Sequence, residues 1–129
     1  MLDVLLIEES IPVVQAARSV LSRDGWKISQ HSDGQGGIEM IRQVKPRLVI
    51  LGLLLPHRSG AEILHDLRRD ANASLALTPV VLLTFRRESS SDLPLADAVL
   101  SCAYIERDLA SVVRRLLQIG GNLARVNAL

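Results

Sequence analysis

Continuous apolar runs that alternate with helical patterns constrain the fold of this chain more than any other feature. The runs "VLLI" (Val4–Ile7), "RLVIL" (Arg47–Leu51) and "VVLLT" (Val80–Thr84) show no alternation of polar and apolar residues. Strands of this composition are buried on both faces, as in parallel sheets. The alternating "WKISQH" (residues 26–31) predicts a more exposed strand, and "AVL" (Ala98–Leu100) predicts a short fifth one.

Helical patterns separate these strands along the chain. Apolar residues recur at helical spacing after Pro12, before Pro46, after Gly60 and in a last segment that Gly120 and Gly121 close. The order predicts an α/β domain, a doubly wound five-stranded parallel sheet with helices on both faces. We expect the domain to cover residues 1–119 and residues 120–129 to form a C-terminal tail or the start of a linker.

Composition and charge exclude several classes of protein. The 129 residues suit one domain, and the net charge of +1 gives no field that would attract nucleic acid or an anionic membrane. The single cysteine, Cys102, forms no internal disulfide and fits a reducing compartment. No apolar run approaches the ~20 residues of a membrane span. We therefore expect a cytoplasmic protein in which arginine pairs such as Arg68-Arg69 are solvated.

Function in such sheets collects at the carboxyl ends of the strands. The segment "LVILGLLLPHRSG" (residues 48–60) is unusual because a residue without a side chain, Gly52, stands at this functional edge. The residues at the predicted strand ends, where chemistry is expected, are Glu8, Glu9, Gly52, Thr84, Phe85 and Cys102.

With these residues in place, the sequence from about residue 2 to 118 resembles a response-regulator receiver domain of the CheY-like type. Glu8 and Glu9 match the acidic pair of that family, and Thr84 matches its hydroxyl position. Pro56 and Gly60 stand four and eight residues after Gly52, as they do after the family's phospho-acceptor Asp. The resemblance implies a flavodoxin-like receiver fold and a role in two-component signal transduction or a phosphorelay.

The chemistry of the family is not matched. The resemblance places Gly52 at the acceptor position and Cys102 at the position of a lysine that holds the phosphoryl group. An Asp carboxylate attacks the phosphoryl donor, and glycine offers no nucleophile. Phe85 stands at a position that is usually small and offers a side chain to fill the vacated space. Val99 replaces the aromatic residue that reorients in many receivers. These departures indicate an atypical, degenerate pseudo-receiver that lacks the phospho-acceptor Asp, is not an enzyme and needs no cofactor.

The two glutamates raise the question of a metal. In receivers the acidic pair holds Mg²⁺, which demands a tight octahedron of oxygen ligands. Glu is longer than Asp, and the Asp that would complete the site is missing, so no metal is expected; Glu8 and Glu9 are the only candidates for one. We expect them to form a solvent-exposed acidic edge. Cys102 has no second cysteine as a partner for redox chemistry.

The expected partner surface follows from a shortened segment. Cys102 stands only 18 positions after Thr84, roughly one helical turn fewer than the family pattern. This difference predicts a shortened or irregular fourth helix. In the family, the face of helix four, strand five and helix five is the usual output and dimer surface. The residues expected to contact a protein partner of a regulatory pathway, or a second copy in a homodimer, are Leu93, Leu95, Val99 and Tyr104.

Three functions follow from these observations. The first is a phosphorylation-independent pseudo-receiver that acts as a protein–protein interaction module in a signal-transduction system. The alternative is a receiver switched by a small ligand or a divalent metal instead of aspartyl phosphate. A flavodoxin-like cofactor protein is less favoured, because the carboxylates of Glu8 and Glu9 would repel a flavin phosphate at the loop that has to cradle it.

Overall fold

The computed structural model describes residues 2–85 and 95–128, with side chains as far as residue 118. The strands are β1 (Val4–Ile7), β2 (Ile28–His31), β3 (Leu48–Gly52), β4 (Val80–Thr84) and β5 (Ala98–Ser101). The helices are α1 (Ile11–Ser22), α2 (Gly37–Val44), α3 (Gly60–Arg68), α4 (Ala73–Ala76) and α5 (Ile105–Ala128). A 3-10 turn covers Cys102–Tyr104.

The strands form one parallel sheet in the order β2-β1-β3-β4-β5. This order is that of the flavodoxin-like fold, and it confirms the predicted doubly wound five-stranded sheet. The three continuous apolar runs are the three central strands, and every residue of them is buried. Because these strands are covered on both faces, they consist almost entirely of apolar residues, and this composition made the parallel sheet predictable from the sequence.

Alternate residues of the central strands face two separate core layers. Val4 and Leu6 pack in a cluster with the apolar sides of α1 and α5. Leu5 and Ile7 pack on the other face with α2, α3 and α4. The two layers hold all five carboxyl strand ends at one edge of the sheet, where the site residues lie. None of the helices in the described ranges combines the length and apolar composition that a membrane crossing requires.

The last helix does not stop where the sequence predicted. It continues through Gly120 and Gly121 to Ala128. Glycine inside a helix costs about 1 kcal/mol relative to alanine, but it ends a helix only when it adopts the left-handed conformation beyond the last turn. The predicted stop is therefore wrong, while the division between a domain over 1–119 and a tail or linker over 120–129 stays a prediction.

A one-turn helix, α4, occupies part of the connection between α3 and β4. The Asn72 side chain caps it by accepting hydrogen bonds from the backbone N–H groups of Ser74 (2.9 Å) and Leu75 (3.3 Å). Leu75 is buried in the core beside α3. A four-residue helix is too short to produce a periodic pattern, so only the capping asparagine and the isolated leucine signalled it.

Arg68 is not solvated as predicted for its arginine pair. Its side chain is only 19% exposed. It donates hydrogen bonds to the carbonyls of Leu95 (2.9 Å), Ala76 (2.9 Å) and Thr78 (2.8 Å), and to the Asp97 carboxylate (2.9 Å). A guanidinium has five donors, so it satisfies several loop carbonyls at once. Arg68 therefore ties the end of α3 to the segment that leads into β5.

The predicted shortened or irregular fourth helix, between β4 and β5, falls on residues 86–94. These residues lie outside the described part of the chain, and so does Leu93. The expectation about this helix stays a prediction.

Candidate functional site

A close backbone contact joins the end of β3 to the start of α3. The Gly60 N–H donates to the Leu53 carbonyl at 3.0 Å, and a Cβ on Gly60 would overlap the Gly52 carbonyl oxygen. Ser59 caps α3 by accepting a hydrogen bond from the Glu62 N–H at 3.2 Å. Only glycine permits this approach, so Gly60 fixes the loop that surrounds the end of β3.

The carboxyl group of Glu8 fills the space beside Gly52. Ile7 pairs with Leu51 across the β1–β3 ladder, so Glu8 and Gly52 are the next residues on the two neighbouring strands. Glu8 is 1% exposed. A Cβ built on Gly52 would overlap Oε1 of Glu8 and lie 3.2 Å from its carboxyl carbon. Glu8 therefore occupies volume that any other side chain at position 52 would need.

Backbone hydrogen bonds hold Glu8 in this position. Its Oε2 accepts from the Ser10 N–H at 2.8 Å. Its N–H donates to the His31 carbonyl at 3.0 Å, and its own carbonyl accepts from Nε2 of Gln30 at 3.1 Å. Removal of the carboxyl from water raises the pKa of Glu8, and this effect outweighs the hydrogen bonds that favour the ionised form.

The acidic pair is thus divided between two environments. Glu9 is exposed, as the sequence predicted for both residues. The prediction is wrong for Glu8, because its side chain turns inward to the room that the missing side chain of residue 52 leaves. The side chain of a residue at the end of a buried strand can turn toward the interior or toward solvent. Free space beside the neighbouring strand favours the inward direction.

Phe85 does not fill the vacated space. It is 50% exposed, and the expectation that it enters the space beside Gly52 is wrong. The Glu8 carboxyl already lies there, and a Cβ on Gly52 would lie only 3.3 Å from Cδ2 of Leu55. Thr84, the preceding residue, is 3% exposed at the end of β4 and pairs with Ser101 of β5.

Cys102 is half-buried in the 3-10 turn after β5. Burial and then the negative charge of Glu8 raise the pKa of its thiol to about 11. The thiol is therefore protonated at neutral pH and contributes no charge to the site. Glu8, Gly52 and Cys102 form the centre of this strand-end cluster, whereas Glu9 and Phe85 face solvent.

A model of the response regulator receiver domain family matches residues 4–100 of the sequence. The chain belongs to this family. The receiver chain is 32% identical over 98 residues to the KDP operon transcriptional regulatory protein KdpE of Escherichia coli, which covers 76% of this chain and 41% of that protein. It is 30% identical over 86 residues to the transcriptional regulatory protein AfsQ1 of Streptomyces coelicolor, which covers 67% of this chain and 36% of that protein. The receiver chain thus spans well under half the length of these relatives.

Solved structures show the same fold. The receiver domain of the Francisella response regulator 1452 superposes with a TM-score of 0.80 at 18% identity and covers 93% of this chain and 99% of that one. The response regulator TrrA of Thermotoga maritima, solved in complex with Mg²⁺-BeF, gives a TM-score of 0.78 at 20% identity, with 90% and 99% coverage. These likenesses confirm the flavodoxin-like, CheY-like receiver fold.

The Mg²⁺ that the receiver fold implies does not fit the residues present. Magnesium requires several oxygen ligands in a near-ideal octahedron. The Glu8 carboxyl is turned toward Gly52 and accepts a hydrogen bond from the Ser10 N–H, and Gly52 has no side chain to supply a ligand. Within residues 2–85 and 95–118, no three His, Cys, Asp or Glu side chains are grouped so that they could hold a metal. Of the two glutamates, Glu9 is the one whose side chain is accessible to solvent.

The structure sorts the predicted partner residues. Val99 and Tyr104 are 44% and 46% exposed, as a contact surface requires, and the Arg107 guanidinium lies 4.2 Å from the centre of the Tyr104 ring. Leu95 is partly buried against the core layer of α2 and α3. Leu95 is thus less exposed than expected for a contact residue, since Arg68 hydrogen bonds to its carbonyl, and its contact with a partner stays a prediction.

Sequence reasoning missed two exposed apolar residues at the same edge of the sheet. Ile11, at the start of α1, is 69% exposed, and Leu54, just after β3, is 60% exposed. Leu54 continues the apolar run of β3 past the point where the strand ends, whereas Ile11 follows three polar residues and stands just before Pro12. For Leu54, this extension into a loop was the available signal, since an apolar residue beyond a strand end has no core layer to enter.

Cys102 should react slowly with alkylating reagents in the folded protein. With a pKa of about 11 instead of 9.0, its thiolate fraction at pH 8 is about 100-fold smaller than that of an unperturbed thiol. We expect iodoacetamide labelling, followed by mass spectrometry, to be slower by this factor than in the same protein unfolded in denaturant. The folded-state rate should still be rising tenfold per pH unit between pH 8 and 10. A rate that levels off near pH 9 would contradict the assignment.

Proposed function

We propose that this receiver domain is a phosphorylation-independent interaction module, a pseudo-receiver, in a two-component regulatory system. One observation carries the proposal: at the position matching the family's acceptor, Gly52 has no side chain, and the Glu8 carboxyl occupies the adjoining space. Formation of an acyl phosphate requires an accessible carboxylate nucleophile. Gly52 offers none, and the Glu8 carboxyl is buried.

The electrostatics of the cluster support the same proposal. A transferred phosphoryl group needs positive charge around its oxygens. Cys102 stands at the family's lysine position, and its thiol is neutral at pH 7 because its pKa is raised to about 11. The buried carboxyl of Glu8 adds negative charge in the same place when it is ionised. A dianionic phosphoryl group would therefore be repelled.

A protein is the partner that fits this module best. The net charge of +1 provides no attraction for nucleic acid. The relatives that are named transcriptional regulatory proteins are more than twice as long as the segment that matches this chain, so most of their length lies outside the receiver domain. We propose that the domain acts in the cytoplasm on a protein of a regulatory pathway. The contact surface is the exposed pair Val99 and Tyr104, on the strand five–helix five side that receivers use for output and dimer contacts.

A small ligand that replaces phosphorylation is the second candidate function. A groove of about 500 Å³ lies between α2 and α3, lined in part by Ile38, Glu39 and Arg42. The basic groups around it are already paired: Arg42 with Asp70 at 2.8 Å, His57 with Asp33 at 2.8 Å, and Arg58 with Asp66. Because a ligand would have to compete with these pairs, the groove supports this function less strongly than the cluster at Gly52 supports the first.

The protein should not be phosphorylated by small-molecule donors. We expect incubation with acetyl phosphate and Mg²⁺ to add no mass of about 80 Da, because the site offers neither nucleophile nor cation. A receiver domain that keeps its acceptor Asp, treated in parallel, serves as the positive control. A stoichiometric adduct on the wild-type chain that hydroxylamine removes would show an acyl phosphate and sink the proposal.

If the domain forms a homodimer, the exposed residues Val99 and Tyr104 should lie in the dimer interface. Loss of an exposed aromatic anchor at an interface typically costs more than 1 kcal/mol, so V99S/Y104S should weaken the dimer about tenfold or more. Sedimentation over a range of concentrations measures this. Leu77→Ser is the matched control, because Leu77 is 78% exposed in the turn before β4. Equal dimerisation of both variants would exclude this surface; a wild-type chain that stays monomeric would exclude the homodimer.

A further inference from the structure

A carboxyl group from β1 lies against the position where a side chain on residue 52 would begin. Oε1 of Glu8 overlaps the point where the Cβ of residue 52 would stand, and the carboxyl carbon of Glu8 lies 3.2 Å from that point. The pocket beside Gly52 is therefore filled by a carboxylate from the neighbouring strand.

We propose that Glu8 is a built-in occupant of this pocket, a plug that holds the site permanently filled and the loop after β1 in one conformation. The plug makes the module constitutive: the pocket has no empty state for a phosphoryl group or a metal to fill. This inference rests on the proposed function, since it explains how the phosphorylation site of a receiver is kept closed. It also identifies Gly52 as the residue that makes room for the plug.

The fit of Glu8 is enclosed on several sides. The side chain is 1% exposed. Leu55 approaches the same volume, since its Cδ2 lies 3.3 Å from the Cβ position of residue 52. Neither a phosphodonor nor a hydrated cation reaches the carboxyl unless it swings out first. The plug therefore excludes ligands by occupying the pocket as well as by its charge.

The plug also orders the loop that follows it. Oε2 of Glu8 accepts the Ser10 N–H at 2.8 Å, and Ser10 is the residue immediately before α1. Ile11, the first residue of the helix, is 69% exposed. One carboxyl group thus contacts the pocket with one oxygen and fixes the start of α1 with the other.

Backbone conformation does not explain the glycine. Gly25 and Gly36 are the glycines with positive φ in the described ranges, and Gly52 is not among them. Alanine at 52 is therefore compatible with the backbone, and in an extended strand it is otherwise the better residue. The space taken by Glu8 is what opposes a side chain at this position.

A double-mutant cycle in the full chain tests the plug. In the wild-type background, the methyl group of Gly52→Ala has to displace the Glu8 carboxyl, so the substitution should change the melting temperature less favourably than it does in the Glu8→Ala background. In the Glu8→Ala background the same methyl enters vacated space, so E8A/G52A should melt at or above the temperature of E8A alone. Residues in contact show such non-additivity, whereas independent ones do not. Glu9→Ala is the matched control, because Glu9 is exposed: Gly52→Ala should change the melting temperature by the same amount with and without it.

A second readout follows the loop. Amide exchange at Ser10 should accelerate about 10-fold in E8A, where its acceptor is lost, and stay near the wild-type rate in E8Q, whose amide oxygen still accepts. An equal change of melting temperature from Gly52→Ala in both backgrounds, or unchanged Ser10 exchange in E8A, would overturn the plug. Phosphorylation of the wild-type chain would instead defeat the proposed function, so the two failures are separable.

Discussion

Mutual exclusion between the Glu8 carboxyl and a side chain at residue 52 is the constraint on which the site depends. The parallel register of β1 and β3 places the two residues side by side at the carboxyl edge. Because Gly52 has no Cβ, Glu8 turns inward, and its carboxyl gains the Ser10 N–H while losing contact with water. The same turn leaves Glu9 exposed, and the negative charge of Glu8 adds to burial, the larger cause, in raising the pKa of Cys102. The burial of Glu8 and the exposure of Glu9 both follow from the Glu8 carboxyl lying where a side chain of residue 52 would stand.

The receiver fold around Glu8 and Gly52 is maintained because contacts of the backbone hold the end of β3 against the start of α3. Gly60 touches the end of β3 so closely that a Cβ would overlap the Gly52 carbonyl, and Ser59 caps α3 in a capping box with Glu62. Neither contact needs a phosphoryl group or a metal. The fold at this edge is therefore maintained without a side chain at residue 52, as the proposed interaction module requires.

The sheet was predictable because each central strand is buried on both faces and its apolar composition reports that burial directly. Side-chain direction was not predictable in the same way. Glu8 looked like an exposed acid because the strand pattern ends at Ile7 and carries no information about free space on β3. Phe85 looked like a filler because of its size, although Glu8 already occupied the space. The end of α5 was misjudged because glycine stops a helix by its conformation, and Arg68 because its partners are loop carbonyls that leave no sequence pattern.

The position of the Glu8 carboxyl is tested most directly by its own titration. Carboxyl ¹³C shifts, assigned by comparison with E8Q, measure the pKa of Glu8 in the wild-type protein and in Gly52→Ala. We expect a pKa above the usual glutamate range in the wild type, where burial disfavours the charged form. In Gly52→Ala, where the new methyl group drives the carboxyl into water, we expect the pKa of Glu8 to return toward the usual glutamate range. A Glu8 pKa that is ordinary in the wild type and unmoved by Gly52→Ala would contradict the account.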